Sequence, residues 1–161
     1  MGKIQSDNAC EAFLKQRISI IDKYDIFDGD DQVMYHVAGN VTGLKFEITN
    51  TEGESVASIA RKIALTKDCN ISFINGDSIQ IKKKLMAIKE EYNGLYNDQE
   101  LQIKGNLTAF DFDIIVGGEL VGTVDKKLAA ITDTYRITAA DAKWMDAVVA
   151  LAVAIDSAVH K

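Results

Sequence analysis

Six copies of a short pattern, spaced almost evenly along the chain, restrict its fold more than any other feature. Each copy has an apolar residue, two variable positions, a Lys, Arg or Asn, and a second apolar residue. The copies are Leu14 to Ile18, Val37 to Val41, Ile59 to Ile63, Ile81 to Leu85, Ile103 to Leu107 and Val124 to Leu128, with first residues 23, 22, 22, 22 and 21 positions apart. The polar position is Arg17, Asn40, Lys62, Lys84, Asn106 and Lys127 in turn. Between copies lies an aromatic-x-Ile triplet: Tyr24-Asp25-Ile26, Phe46-Glu47-Ile48, Phe112-Asp113-Ile114 and Tyr135-Arg136-Ile137. Cys69-Asn70-Ile71 stands in for the third, and the fourth degrades to Tyr92-Asn93-Gly94, where a glycine predicts a bulge or irregular strand. Turn chemistry follows every triplet but the last: Asp28-Gly29, Asn50 to Gly53, Asn75-Gly76, Asn97-Asp98 and Gly117-Gly118. Each repeat is therefore a β-hairpin, and six hairpins make a twelve-stranded antiparallel meander.

Alternation gives the sheet one dry face. Val33, Tyr35 and Val37 share it, as do Ala57 with Ile59, Ile79 with Ile81, Leu101 with Ile103, and Leu120 with Val124; Met34, His36, Ser58, Gln80 and Thr123 fall on the other. An open sheet of that length would expose two long edges, so the wall closes into a barrel. The repeat stops before Thr138, and residues 138–160 read as a helix with Thr138 and Asp141 as a capping box. Its centre, Ala147 to Ile155, is apolar on all sides, which requires complete burial. That run is nine residues between Asp146 and Asp156, against about 20 for a bilayer crossing. Twelve strands about 4.8 Å apart close on a radius of about 12 Å, too wide for side chains alone to fill and wide enough for a helix about 10 to 12 Å across. The expected fold is all-β with one helix: a closed twelve-stranded antiparallel β-barrel of six hairpin repeats around a central hydrophobic C-terminal α-helix at about 139–160. It forms one domain over 10–161 after an N-terminal tail, 1–9.

Composition bears on function mainly by exclusion. The chain has 161 residues, a formal charge of −6 and no proline, where about 8 prolines would be average; backbone N–H groups are in demand throughout. A start of Met1-Gly2-Lys3 without an apolar stretch points to the cytoplasm. Cys10 and Cys69 read as free core thiols, and His36 and His160 fall in no metal-ligand spacing, so neither metal nor cofactor is expected. No nucleophile elbow, phosphate loop or dinucleotide fingerprint is present. Asp111 with Asp113, and Glu90 with Glu91, read as solvated acids, and Asp28-Gly29-Asp30-Asp31 reads as a hairpin turn in place of a calcium loop. Asp156 and His160, four apart, read as an ion pair at the helix end in place of an acid/base pair. A pI near 4.9 argues against nucleic acid. No enzyme is expected, because an axial helix leaves no interior cavity.

Lys23-Tyr24-Asp25-Ile26, Ile81-Lys82-Lys83-Lys84-Leu85, Asp133-Thr134-Tyr135 and the helix at 147 to 156 together resemble the LURP-one-related family, over about Phe13 to His160. The likeness is to a member of bacterial type. That family is grouped with the tubby C-terminal domain and the phospholipid scramblases, so the resemblance implies a tubby-like barrel around a hydrophobic helix. Tubby domains bind phosphoinositide headgroups through surface cations, and the resemblance therefore implies anionic phospholipid as a ligand, bound peripherally. The candidates are Arg61, Lys62, Lys82, Lys83, Lys84, Lys126 and Lys127, which recur at equivalent repeat positions; strand-end lysines kept for solubility are the competing explanation. The alternative function is an intracellular protein-interaction or regulatory scaffold, using the exposed Met34 and His36 strand and the irregular segment Glu90 to Asn97.

Overall fold

The computed structural model describes residues 4, 7–15, 23–40, 42, 44–61, 69–83, 91–107, 109–127 and 134–159. The strands are β1 (Cys10–Lys15), β2 (Lys23–Phe27), β3 (Val33–Gly39), β4 (Lys45–Asn50), β5 (Ser55–Arg61), β6 (Cys69–Phe73), β7 (Ser78–Lys83), β8 (Glu91–Tyr96), β9 (Gln99–Asn106), β10 (Asp111–Val116), β11 (Glu119–Lys127) and β12 (Thr134–Ala139), followed by α1 (Ala142–Val159). Each strand pairs with the next, and β1 pairs with β12 from Cys10↔Ala139 to Lys15↔Thr134, which closes the barrel without an edge.

Both landmarks lie in the core. Leu14, Val37, Ile59, Ile81, Ile103 and Val124 are buried on the odd strands, and Ile26, Ile48, Ile71, Ile114 and Ile137 on the even ones. Val37 faces Ile48 on one side and Tyr24 on the other; Ile59 faces Ile71 and Phe46, and Val124 faces Ile137 and Phe112. The two partners of each odd-strand residue thus occupy triplet positions two residues apart, so each hairpin advances the register by two. Six such steps around the ring give a shear of about 12 for twelve strands, which tilts them by roughly 35° on a radius of about 11 Å.

Strict alternation fails at three places. The register shifts after Ile26, Ile48 and Ile114, inserting Met34, Val56 and Val121 as bulge residues on β3, β5 and β11. Val56 and Ala57 are consequently both buried, as are Val121 and Gly122, while Leu120 and Val33 are only half-buried. Met34 packs against the core and does not belong to the solvent face predicted for it. The bulge predicted at Tyr92-Asn93-Gly94 is absent: β8 pairs in unbroken register with β7 and β9. Gly94 is needed because a Cβ there would lie 1.9 Å from the Gln80 carbonyl oxygen.

The helix starts later than predicted. Thr138 stays in β12 opposite Glu11 and Thr123, so no capping box forms. Asp141 alone caps, its Oδ1 accepting from the Lys143 backbone N–H at 3.1 Å. From there α1 turns back into the barrel, where every residue from Ala147 to Ile155 is at most 6% exposed. It touches β5 and β11, which are six strands apart and so face each other across the interior. Against β11 the fit is tight: a Cβ on Gly122 would lie 2.5 and 2.8 Å from the two Val148 methyls. No described helix is long and apolar enough to cross a membrane.

Candidate functional site

Strand direction divides the barrel into two poles. The odd strands all run away from the short turns at 28–32, 51–54, 74–77, 97–98 and 117–118, and α1 enters at that same turn pole. They end at the opposite, loop pole. Arg61 closes β5, Lys82 and Lys83 close β7, and Lys126 and Lys127 close β11, so these five candidates share one pole. Lys62 and Lys84 lie outside the described residues.

Sharing a pole does not make them one cluster. β5 and β7 flank β6, whereas β11 lies opposite β5, so Lys126 and Lys127 are about 20 Å across the mouth from Arg61 on a barrel of this radius. Register separates them further. Arg61 is opposite Cys69, Lys83 opposite Tyr92 and Lys126 opposite Tyr135, all three partners buried. Arg61 and Lys126 hold inner-face positions at the mouth, where the C-terminal end of α1, the negative end of its dipole, arrives without a basic residue in its own last turn. Beside Arg61, burial pushes the Cys69 thiol up to about 12, and the Arg61 charge offsets part of that rise. Neither Cys10 nor Cys69 is in a disulfide.

The other predicted features are dispersed over the outer wall. His36 is exposed, with Nδ1 2.7 Å from Asp25 Oδ1 across β2 and β3. Leu95 is 43% exposed on β8; Glu90 and His160 fall outside the described residues. Asp28 Oδ1 accepts from the backbone N–H groups of Asp30 and Gln32 at 2.8 and 3.0 Å, so the acidic run is a turn. Burial, then the neighbouring Asp111 charge, raises the Asp113 carboxyl above the usual carboxylate range. Arg136 makes a bidentate pair with Asp125 at 3.1 and 2.6 Å, and this bonding raises its own pKa. An open groove of about 540 Å³ crosses β3 to β6 over Ala38, Ser58, Ala60 and Ser72, with Glu47 held by the Ser55 and Ser58 hydroxyls. No group of three or more metal-ligating side chains occurs among the described residues.

One arrangement at the turn pole has no counterpart in the sequence reading. Tyr96 packs against Trp144 with ring centroids 5.2 Å apart and donates its hydroxyl to Asp77 Oδ2 at 3.0 Å. Tyr35, buried beneath, donates to Asp146 Oδ1 at 2.5 Å. Desolvation, then the bond to Asp77, raises the Tyr96 phenol to about 12. Hydrogen bonds from Asn97 and Tyr96, and a lesser one from Asn75, hold the Asp77 carboxyl below the usual carboxylate range. A pocket of about 70 Å³ opens between Asp77, Asp146, Tyr96, Lys143 and Ile74. The available signal was the single tryptophan of the chain, placed between Lys143 and Asp146 at the polar start of an otherwise apolar helix.

A meander of twelve strands closed on itself, with an apolar C-terminal helix along its axis and polar chemistry confined to the wall and poles, defines the class: a helix-filled antiparallel β-barrel. The sequence profile described as LURP-one-related matches residues 11–156, and the chain belongs to that family. Among solved structures it is similar to a protein from Arabidopsis thaliana determined by X-ray crystallography, with a TM-score of 0.70 and 13% identity, covering 96% of this chain and 94% of that one. At that identity the likeness establishes the fold alone. The bacterial type expected from the sequence gains no support from this match to a plant protein. A search of curated proteins finds no match.

Proposed function

We propose that this domain is a non-enzymatic binding module of the cytoplasm that docks peripherally on membranes carrying anionic phospholipid, with its loop pole toward the headgroups. The observation that supports this reading is strand parity: β5, β7 and β11 run in one direction and each ends in cations. The five turns of the other pole carry Asp28, Asp30, Asp31, Glu52, Glu54, Asp77 and Asp98 and no Lys or Arg. A molecule of net charge −6 is thereby polarised along its axis, and an anionic surface attracts one end while repelling the other. The axial helix favours a binding role over catalysis, since the barrel interior is occupied by α1 side chains.

Each cation near such a surface contributes about 1 kcal/mol. Converting Lys83 and Lys84 to Glu removes two, so binding weakens by about 30-fold or more. The test is co-sedimentation with phosphatidylcholine vesicles, with and without phosphoinositide, at two salt concentrations, comparing the parent with the Lys83→Glu, Lys84→Glu variant. Pelleting that requires phosphoinositide, falls with salt and is lost in the variant is expected. Equal pelleting of both proteins, or none of either, removes the reading.

A further inference from the structure

We infer that the turn pole is a docking site for a basic segment of a protein partner, with one Arg or Lys side chain seated in the pocket that Tyr96 lines with the carboxylates of Asp77 and Asp146, beside the Trp144 ring stacked on Tyr96. The inference stands apart from the lipid reading, which concerns the opposite pole.

Four observations define the occupant. The pocket, about 70 Å³, is roughly twice the volume one water takes in the liquid. That suits the head of one cationic side chain and is too small to enclose a sugar or a nucleotide. Its carboxylates are fixed acceptors: the Tyr35 hydroxyl holds Asp146 at 2.5 Å, and Tyr96 with Asn97 holds Asp77 at 3.0 and 3.2 Å. Little side-chain freedom is then lost when a cation arrives. The Trp144 ring already receives a cation, since Lys143 Nζ stands 6.0 Å from its centroid, at the outer limit of such contacts. Around this pole the turns carry acids and no cations; Asp31 is paired to a lysine, Lys15 of β1, at 3.1 Å, and the remaining acids favour a positively charged partner at long range.

The pocket's edge separates a protein segment from a free amine. Ile74, at the tip of the β6–β7 turn, is 78% exposed, and Phe73 beside it is half-buried. A small ammonium ion would leave this apolar shoulder in water. A segment with an apolar residue next to its Arg or Lys covers it, and it joins an aromatic centre to a charged anchor as binding hot spots do. Lys143 lines the same pocket and its charge repels an arriving cation, so removing it strengthens binding.

Trp144 is the only tryptophan and packs against Tyr96 at the pocket's side, so tryptophan emission, excited selectively, reports on this pole alone. The full chain is titrated with acetyl-Leu-Arg-Leu-amide, with the same peptide carrying Gln for Arg, and with arginine amide. The Arg peptide is expected to bind at least about tenfold tighter than the Gln peptide. Asp77→Asn and Asp146→Asn should each weaken it about tenfold, and Lys143→Ala should tighten it about threefold. Ile74→Ser should weaken the peptide without affecting arginine amide. A tightening by Lys143→Ala cannot arise from misfolding. Equal affinity for the Arg and Gln peptides, no Trp144 response to millimolar peptide, or a Lys143→Ala variant that binds no better than the parent overturns the inference.

Discussion

Replacing Gly122 by Ala tests whether α1 is seated against β11 as closely as the barrel interior requires. The added methyl would stand 2.5 and 2.8 Å from the Val148 methyls, where carbon atoms prefer about 3.5 to 4.0 Å. The backbone itself tolerates alanine, since Gly122 has no positive φ. Overpacking of this kind costs about 1 to 3 kcal/mol. In a chain of 161 residues, a loss of about 2 kcal/mol lowers Tm by roughly 4 to 8 °C. Val148→Ala alone removes two buried methyl groups at about 0.8 kcal/mol each, plus a cavity term, for about 2 kcal/mol. Combined, the new methyl partly fills the space that Val148 vacates, so the double variant is more stable than the summed losses predict by about 1 kcal/mol or more. Urea unfolding followed by far-ultraviolet circular dichroism on the four proteins supplies the cycle. Strictly additive losses, or a Gly122→Ala protein as stable as the parent, would refute close seating of the helix on β11.

Two further outcomes follow from burial. Val149→Asn, with Val149 wholly buried on the helix, strands an amide without partners at a cost of a few kcal/mol, so the thermal transition should drop by more than in the Gly122→Ala protein or be lost. Asp113, whose carboxyl is raised by burial and then by Asp111, takes up its proton more readily in the folded chain, so its charge destabilises the fold at neutral pH. Asp113→Asn should therefore stabilise the protein at pH 7, with the gain shrinking as pH falls through the raised folded value; stability curves with parallel pH dependence would contradict this.

The repeat made most of the fold readable because each landmark is a core position: Val37, Ile59 and Ile81 are buried where the pattern placed them, and Ile48 and Ile71 face them. The bulges at Met34, Val56 and Val121 were not readable, because a period-two pattern carries no mark of an inserted residue when the insert is itself apolar. Gly94 misled for a related reason. Glycine signals both irregularity and close backbone approach, and only the Gln80 carbonyl distinguishes the two. The common pole of Lys83 and Lys126 follows from strand parity, but their separation across the mouth required the closed order of the strands. The turn-pole pocket was invisible because Asp77, Tyr96 and Asp146 meet only after the β6–β7 turn, β8 and the start of α1 converge.

The seam between β1 and β12, where Leu14 pairs with Tyr135, sets the order in which a newly made chain can mature. On a ribosome adding about 5 to 20 residues per second, the first strand waits on the order of ten seconds for its partner across that seam. The segment that fills the cavity is translated after that. Until then the nascent wall has apolar residues on its concave side with nothing against them, a state prone to sticking. Hairpins between consecutive strands can form as they emerge, but closing the β1–β12 seam and seating α1 come last, so chaperones have a long interval to act and ribosomal pausing before Thr134 would prolong the exposure.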